Sequence, residues 1–127
     1  GSWTGVACSG GLVSKLYLFG KKLSGTIPDS FGNLRSVSAL EMYNNCLYGT
    51  IPSSVCDISN LITLRMNANS FVSTLPSCLG ATLNYMRSID ISRNSLTGPI
   101  PSSLGQLVYA RTIDLSSNSL TGTIPSA

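Results

Sequence analysis

The chain repeats one dipeptide, an isoleucine or leucine followed by proline, at nearly constant spacing. The dipeptide occurs at Ile27-Pro28, Ile51-Pro52, Leu75-Pro76, Ile100-Pro101 and Ile124-Pro125. The intervals are 24, 24, 25 and 24 residues. A period of this length indicates a solenoid, because one such unit cannot bury its apolar edge without a stacked neighbour. The sequence therefore predicts a remnant of an N-terminal cap at 1–12 and repeats at 13–36, 37–60, 61–85, 86–109 and 110–127, the last truncated.

Each repeat opens with an alternation of apolar and other residues, which is the pattern of a short half-buried strand. In the fourth repeat, Ile89 and Ile91 flank Asp90, so the isoleucines point into the coil and the aspartate points out. The segment after each of the first four of these prolines carries two apolar residues and is predicted to form a short 3-10 turn on the convex side. These patterns predict an α/β repeat solenoid, a right-handed superhelix with one short parallel strand per 24-residue repeat. The extra residue of the third repeat falls around Ala81-Thr82.

An asparagine follows the strand in every repeat except the first. The four residues are Asn45, Asn69, Asn94 and Asn118. A side-chain amide at this turn satisfies backbone groups that an apolar side chain would leave unpaired. We therefore predict a structural role for these four asparagines, whereas the equivalent position of the first repeat is Lys21.

The frame Leu-x-x-Asn-x-Leu-x-Gly-x-Ile-Pro resembles the plant-specific class of extracellular leucine-rich repeats. That class includes receptor-like kinase ectodomains, receptor-like proteins and polygalacturonase-inhibiting proteins. The segment from Trp3 to Cys8 resembles the end of its N-terminal cap, although the cysteine that usually precedes the tryptophan is absent here. The resemblance implies a leucine-rich-repeat fold and a place outside the cell, either secreted or on the extracellular face of the plasma membrane. It implies a binding function only coarsely, because one fold supports many functions.

The four cysteines suit an oxidising compartment. Cys56 and Cys78 lie on the return segments of neighbouring repeats, which brings them near disulfide distance, and this pair is favoured over two free thiols. Cys8 and Cys46 are harder to connect, because the whole first coil separates them. No Cys-x-x-Cys pair is present, so neither a metal site nor another cofactor is predicted.

Composition excludes several other functions. Charged residues make up 10% of the chain, against about 25% in an ordinary soluble domain, and the net charge of +3 comes from scattered residues. A nucleic-acid partner is therefore not expected. No apolar run approaches the length of a membrane span. The chain has no histidine, which removes the Ser-His-Asp and Cys-His arrangements of nucleophilic catalysis.

Outward positions on successive strands form two columns on the concave sheet. The first column is Tyr17, Glu41, Arg65, Asp90 and Asp114, and the second is Phe19, Tyr43, Asn67, Ser92 and Ser116. Tyrosine and arginine are enriched where partners bind, because they combine apolar area with a polar group. We therefore predict a site for a protein or peptide partner at a concave patch formed by Tyr17, Phe19, Glu41, Tyr43 and Arg65. Tyr48 joins this patch from the neighbouring lateral face, and the alternative is that the aromatic residues pack against a cap.

Three other hypotheses follow from the same frame. An ice-binding protein would use the threonine column at Thr26, Thr50, Thr74 and Thr123, which Pro99 interrupts and which an irregular column adjoins. An enzyme acting on carbohydrate would use Asp90 and Asp114, whose backbones are expected about 4.8 Å apart. Self-association would use the apolar edge of the last coil at Leu120–Ile124, which no cap follows.

Overall fold

The computed structural model describes residues 3–126, within which eleven short strands follow the coil. Gly1 and Ser2 of the expected cap remnant, and Ala127 of the last repeat, lie outside the described residues. The strands are β1 (Val6–Ser9), β2 (Leu12–Tyr17), β3 (Ser24–Gly25), β4 (Ala39–Glu41), β5 (Cys46–Gly49), β6 (Thr63–Arg65), β7 (Ser70–Ser73), β8 (Ser88–Asp90), β9 (Ser95–Pro99), β10 (Thr112–Asp114) and β11 (Ser119–Thr121).

The first sheet has the order β1-β2-β4-β6-β8-β10, and its strands from β2 onward are parallel. Each repeat contributes one strand to it, as the alternation predicted. Equivalent residues lie opposite each other, so Leu16 pairs with Leu40, and Leu40 pairs with Leu64. These parallel strands and the stacked coils confirm the repeat solenoid, whereas its right-handed sense stays a prediction.

Strand β1 closes the N-terminal edge of this sheet as an antiparallel partner of β2. Val6 lies opposite Leu16, and the Tyr17 amide donates to the Gly5 carbonyl at 2.6 Å. Gly5 has a φ of +82°, and a Cβ there would collide with the Tyr17 carbonyl. Strands β1 and β2 therefore form a β-hairpin at this edge of the sheet, and Gly5 permits the close approach of the two backbones.

A second parallel sheet, with the order β11-β9-β7-β5-β3, runs beside the first. The sequence prediction had one strand per repeat, and the structure has two. The reason is visible in β5, where buried Leu47 lies between exposed Cys46 and Tyr48. This alternation is too short to separate from a turn by periodicity alone.

The four asparagines join successive coils between the two sheets. The Asn69 amide group donates to the Met42 carbonyl of the preceding coil at 3.0 Å and to the Met66 carbonyl of its own coil at 3.1 Å. The Asn69 side-chain carbonyl accepts the Leu47 amide at 3.0 Å. The same pattern recurs around Asn45, Asn94 and Asn118. Each side chain therefore satisfies backbone groups of two coils, as predicted.

The convex side consists of single helical turns. Three of them are 3-10 turns, at Asp29–Asn33, Ser53–Asp57 and Ser102–Gln106. The third repeat instead forms one α-helical turn, α1 (Leu79–Thr82), which accommodates the extra residue of that repeat because an α turn uses more residues than a 3-10 turn. A disulfide joins Cys56 to Cys78 across neighbouring turns, with 6.1 Å between the Cα atoms. This is the pair favoured from the sequence.

The core is one column of apolar side chains between the sheets and the helical turns. Its centre is closed, with Leu64, Met66, Phe71 and Ile89 completely buried. Leu23 and Leu120, the equivalents of Phe71 in the first and last coils, are only partly buried. Burial thus decreases toward both ends, because a solenoid coil needs a neighbour on each side.

Candidate functional site

The first column of the concave face has the composition that the sequence predicted. Tyr17 lies opposite Glu41, and Glu41 lies opposite Arg65. Asp90 follows Arg65, and Asp114 follows Asp90. Acidic, basic and acidic side chains therefore alternate across β4, β6 and β8, with a phenol at the N-terminal end. Arg65 is exposed, and Tyr17 and Glu41 are half-buried.

The second column begins where the strands end. Backbone bonds continue the pairing there, since the Gly20 amide donates to the Tyr43 carbonyl at 3.0 Å. The rings of Phe19 and Tyr43 stack, with their centroids 4.8 Å apart and an angle of 4° between the ring planes. Phe19 is still 41% exposed. The two aromatic side chains thus pack on each other and keep a surface toward solvent.

Asp90 and Asp114, the pair considered for catalysis, have structural partners. One oxygen of Asp90 accepts the Ser92 amide at 3.0 Å and the Ser92 hydroxyl at 2.6 Å. Asp114 accepts the Ser116 amide and hydroxyl at the same distances. Ser92, expected on the outward face, is buried beneath this contact. Both aspartates of the C-terminal half of the concave face are therefore held by a serine two residues later in the chain.

The ionisation of Asp114 also differs from that of a general acid. Its hydrogen bonds from the Ser116 hydroxyl and amide hold its pKa below the usual range, and the nearby Arg93 charge acts in the same direction. Glycoside hydrolysis needs one carboxyl group with a raised pKa, because that group must carry a proton near neutral pH. The geometry of this pair favours a role in holding the strand ends.

A shallow cavity of about 300 Å³ lies on the concave face beside the stacked rings. It is lined by Tyr43, Arg65, Asn67, Ser88, Asp90, Thr112 and Asp114. The side-chain carbonyl oxygen of Asn67 is buried there and accepts no hydrogen bond. The cavity thus offers charges of both signs and one unused acceptor. Asn67 and Thr112 were not among the predicted site residues, although both hold repeat positions that face the concave side.

Tyr48 belongs to another face. It lies on β5 of the second sheet and is 52% exposed, and it does not line the concave cavity. Val72 on β7, which holds the equivalent position, is 43% exposed. Their large side chains interrupt the surface beside the threonine column. A flat lattice-matching face of the kind an ice-binding protein would need is therefore not formed there.

The remaining cysteines are not joined. Cys8 on β1 and Cys46 on β5 are both exposed free thiols. Within residues 3–126, no three side chains of the His, Cys, Asp and Glu types come together as a metal site. No helix among those residues is long and apolar enough to cross a membrane.

The chain is similar to known proteins in sequence and in structure. The Leucine Rich Repeat family model matches residues 13–34, 85–107 and 110–127. No curated protein sequence matches the chain significantly. Among solved structures, a chain of the BIR3–SERK2 complex from Arabidopsis thaliana has 35% identity and a TM-score of 0.91, with 97% of this chain and 67% of that chain covered.

Two further structures are similar. The BIR2 ectodomain from Arabidopsis thaliana has 31% identity and a TM-score of 0.90, with 95% of this chain and 65% of that chain covered. The plant peptide hormone receptor RGFR1, solved in complex with RGF2, has 34% identity and a TM-score of 0.80, with 82% of this chain and 16% of that chain covered. The chain thus spans about two thirds of the length of the first two relatives and a small part of the third.

Proposed function

The chain belongs to the plant extracellular leucine-rich-repeat family, and on this basis we propose that it is an extracellular recognition module that binds a protein or peptide partner. The binding surface is the concave patch of Tyr17, Phe19, Glu41, Tyr43 and Arg65. The observation that carries the proposal is the exposed stack of Phe19 on Tyr43 beside the charged residues of the first column.

The relatives indicate which partners to test first. One similar chain was solved in a complex of BIR3 with SERK2, and another is a peptide hormone receptor in complex with RGF2. By analogy, a second leucine-rich-repeat ectodomain or a small secreted peptide is the expected partner class. A role outside the cell is supported by this family membership and by the Cys56–Cys78 disulfide, because disulfides persist in oxidising compartments.

The chemistry of the patch suits such a partner. A stacked aromatic pair presents apolar area at little cost in side-chain entropy, because each ring already restricts the other. Glu41 and Arg65 lie opposite each other at the strand ends and fix the orientation of charged groups on a partner. The free acceptor of Asn67 lies deeper in the same face and suits a backbone amide or a hydroxyl group. The patch therefore combines an apolar anchor with specific polar contacts.

The experiment is a binding screen with the purified chain. The chain would be immobilised and exposed to a panel of plant receptor-kinase ectodomains, including SERK2, and to small secreted peptides. We expect saturable binding with a Kd in the micromolar range or tighter, corresponding to about −8 kcal/mol or more favourable. A panel without any saturable binder contradicts the proposal.

Self-association is the competing use of an exposed surface. Ile113 and Ile124 of the last coil are 42% and 87% exposed, and they line an apolar cavity of about 380 Å³ with Ile100, Leu104 and Leu115. Analytical ultracentrifugation across a concentration series distinguishes the two uses. A concentration-dependent dimer that Ile124→Ser abolishes would assign the main interaction to this end of the coil instead of the concave patch.

A further inference from the structure

A second cavity, of about 350 Å³, lies on the side of the first sheet where its parallel strands begin. We call this cavity the edge groove. Its lining residues are Ser38, Asn60, Ile62, Tyr85, Arg87 and Tyr109. None of them belongs to the concave patch or lines the concave cavity. None of them is acidic.

Backbone hydrogen bonds between coils bring these residues together. The Arg87 amide donates to the Ile62 carbonyl at 2.8 Å, and the Arg111 amide donates to the Arg87 carbonyl at 2.8 Å. Ile62, Arg87 and Arg111 therefore form one column before the strands. Tyr85 and Tyr109 lie two residues earlier in their repeats, and the intervening Met86 is completely buried. Tyr85 and Arg87 thus lie outward on the same side of one coil, and Tyr109 and Arg111 repeat the arrangement on the next coil.

The groove leaves unusual apolar area in solvent. Tyr85 is 62% exposed, Tyr109 is 61% exposed and Ile62 is 36% exposed. Val108, which precedes Tyr109, is 79% exposed. Adjoining exposed apolar side chains of this size are typical of a surface that a partner covers, because their burial is favourable.

The charge of the edge groove identifies the partner chemistry. Arg87 lies in the groove, and Arg111 follows it on the next coil. The Asn60 amide group donates to the Arg35 carbonyl at 2.9 Å, so a third arginine belongs to the adjoining segment. The acidic residues lie elsewhere, Asp29 and Asp57 in convex turns and Glu41, Asp90 and Asp114 at strand ends. A guanidinium group without an acid in the groove is complementary to a carboxylate, which it binds through two parallel hydrogen bonds.

We propose that the edge groove binds an acidic peptide segment. An apolar or aromatic side chain of the peptide lies against Tyr85, Tyr109 and Ile62, and a neighbouring carboxylate pairs with Arg87. The volume of about 350 Å³ suits one or two side chains of a peptide. An anionic saccharide fits less well, because Ser38 and Asn60 are the only uncharged groups other than the phenols that could bond its hydroxyls. The chain would then hold two partners at once, one on the concave patch and one at the edge groove.

The probe is a fluorescein-labelled octapeptide with one phenylalanine flanked by glutamates, followed by fluorescence polarisation. Its matched control has lysine in place of every glutamate. We expect the acidic peptide to bind and the lysine peptide not to bind. Arg87→Ala, and separately Tyr85→Ala with Tyr109→Ala, should each weaken binding by about tenfold or more, because each removes one of the two kinds of contact.

Arg93→Ala is the control variant. Arg93 is an exposed arginine away from the groove, so its replacement removes the same charge. Ala68 holds the equivalent turn position with a φ of 55°, against 54° for Arg93, so alanine fits there. Affinity for the acidic peptide should change by less than about twofold in this variant. Melting temperatures of all the variants should stay close to that of the unmodified chain, because the changed side chains are exposed.

Three results would overturn the proposal. The first is no binding of the acidic peptide at about millimolar concentration, where even weak contacts register. The second is an equal loss of affinity in Arg87→Ala and Arg93→Ala, which would mean unspecific attraction to a positively charged protein. The third is displacement of the peptide by an oligogalacturonate whose affinity falls more than that of the peptide when Tyr85 or Arg87 is replaced. That result would assign the groove to an anionic saccharide.

Discussion

Phe19 and Tyr43 stack ring on ring across two neighbouring coils, with centroids 4.8 Å apart and 4° between the ring planes. The contact joins residues 24 positions apart in the chain, which is one repeat period. It therefore exists only because the two coils are in register. A preformed stack of this kind lowers the entropy cost of binding, since neither ring must be ordered by the partner. The concave patch thus depends both on the stacking of the coils and on the aromatic residues Phe19 and Tyr43 at equivalent positions of two coils.

The first prediction concerns the disulfide between Cys56 and Cys78. Replacing both cysteines with alanine should lower the free energy of unfolding by about 3 kcal/mol, because the link closes a loop of 22 residues in the unfolded chain. Urea unfolding measures the difference. Cys46→Ala is the control and should change stability by less than about 0.5 kcal/mol, since that thiol is exposed and free. Alkylation of Cys56 and Cys78 without reduction would contradict the structure.

The second prediction concerns the asparagine ladder, which is the row of Asn45, Asn69, Asn94 and Asn118 between the two sheets. Asn69→Ala should lower the free energy of unfolding by about 2 to 4 kcal/mol, because the Leu47 amide and the Met42 carbonyl lose their partner inside the coil. Asn84→Ala is the control, since Asn84 is exposed and lies outside the ladder. Thermal and chemical unfolding of both variants make the comparison. Equal stability of the two variants would show that the ladder is dispensable.

These two features show what periodicity predicts well. The repeat places one asparagine, such as Asn69, at the same point of every coil except the first, and the need to satisfy backbone groups then determines its role. The spacing likewise places Cys56 and Cys78 on neighbouring turns, and geometry allows their pairing. Both arguments depend on one residue per repeat and on contacts between adjacent coils. Periodicity therefore predicts contacts between adjacent coils well.

The third prediction concerns the turn position shared by Gly98 and Ser73. Gly98 has a φ of +76°, and a Cβ there would lie 2.7 Å from the Thr74 methyl group of the preceding coil. Gly98→Ser should therefore lower the free energy of unfolding by about 1 to 3 kcal/mol. Ser73 holds the same position with a φ of +68°. Ser73→Gly should raise the melting temperature slightly, because the removal of about 1 kcal/mol or more of backbone strain outweighs the stability lost to the larger conformational entropy of glycine in the unfolded chain. A stabilising Gly98→Ser change would contradict this account.

The fourth prediction concerns acid stability. Hydrogen bonds from Ser116 hold the pKa of Asp114 below its unfolded value, so the ionised form stabilises the fold. That contribution is fully present above about pH 4, the usual range of an aspartate, and it is lost as the pH falls through the folded pKa. The stability difference between the unmodified chain and Asp114→Asn should therefore shrink below about pH 4. A difference that grows on acidification would contradict this sign.

The second sheet and the edge groove show where the sequence carries less information. Strands such as β5 alternate over only three residues around Leu47, which a turn also allows. The edge groove depends on the exposure of the Tyr85 and Tyr109 side chains. The two tyrosines hold the same position in their repeats, but the repeat pattern does not indicate whether a side chain at that position contacts a partner. Ser92 donates a hydrogen bond to Asp90. Both residues are polar, so the repeat pattern does not indicate whether the Asp90 carboxylate binds a side chain or water.

One titration tests whether the concave patch binds the partner. A partner found in the ectodomain and peptide panel is titrated against the unmodified chain and against Phe19→Ala with Tyr43→Ala. Val72→Ala is the control, because Val72 is exposed and lies on β7 of the second sheet, away from the concave face and from the edge groove.

Phe19→Ala with Tyr43→Ala should weaken binding by more than about tenfold, since aromatic anchors contribute about 2 kcal/mol or more each at an interface. The melting temperature of that variant should stay nearly unchanged, and the control should bind as the unmodified chain does. Undiminished binding by the aromatic variant, or its unfolding under the same conditions, would contradict the claim and assign Phe19 and Tyr43 to structural packing.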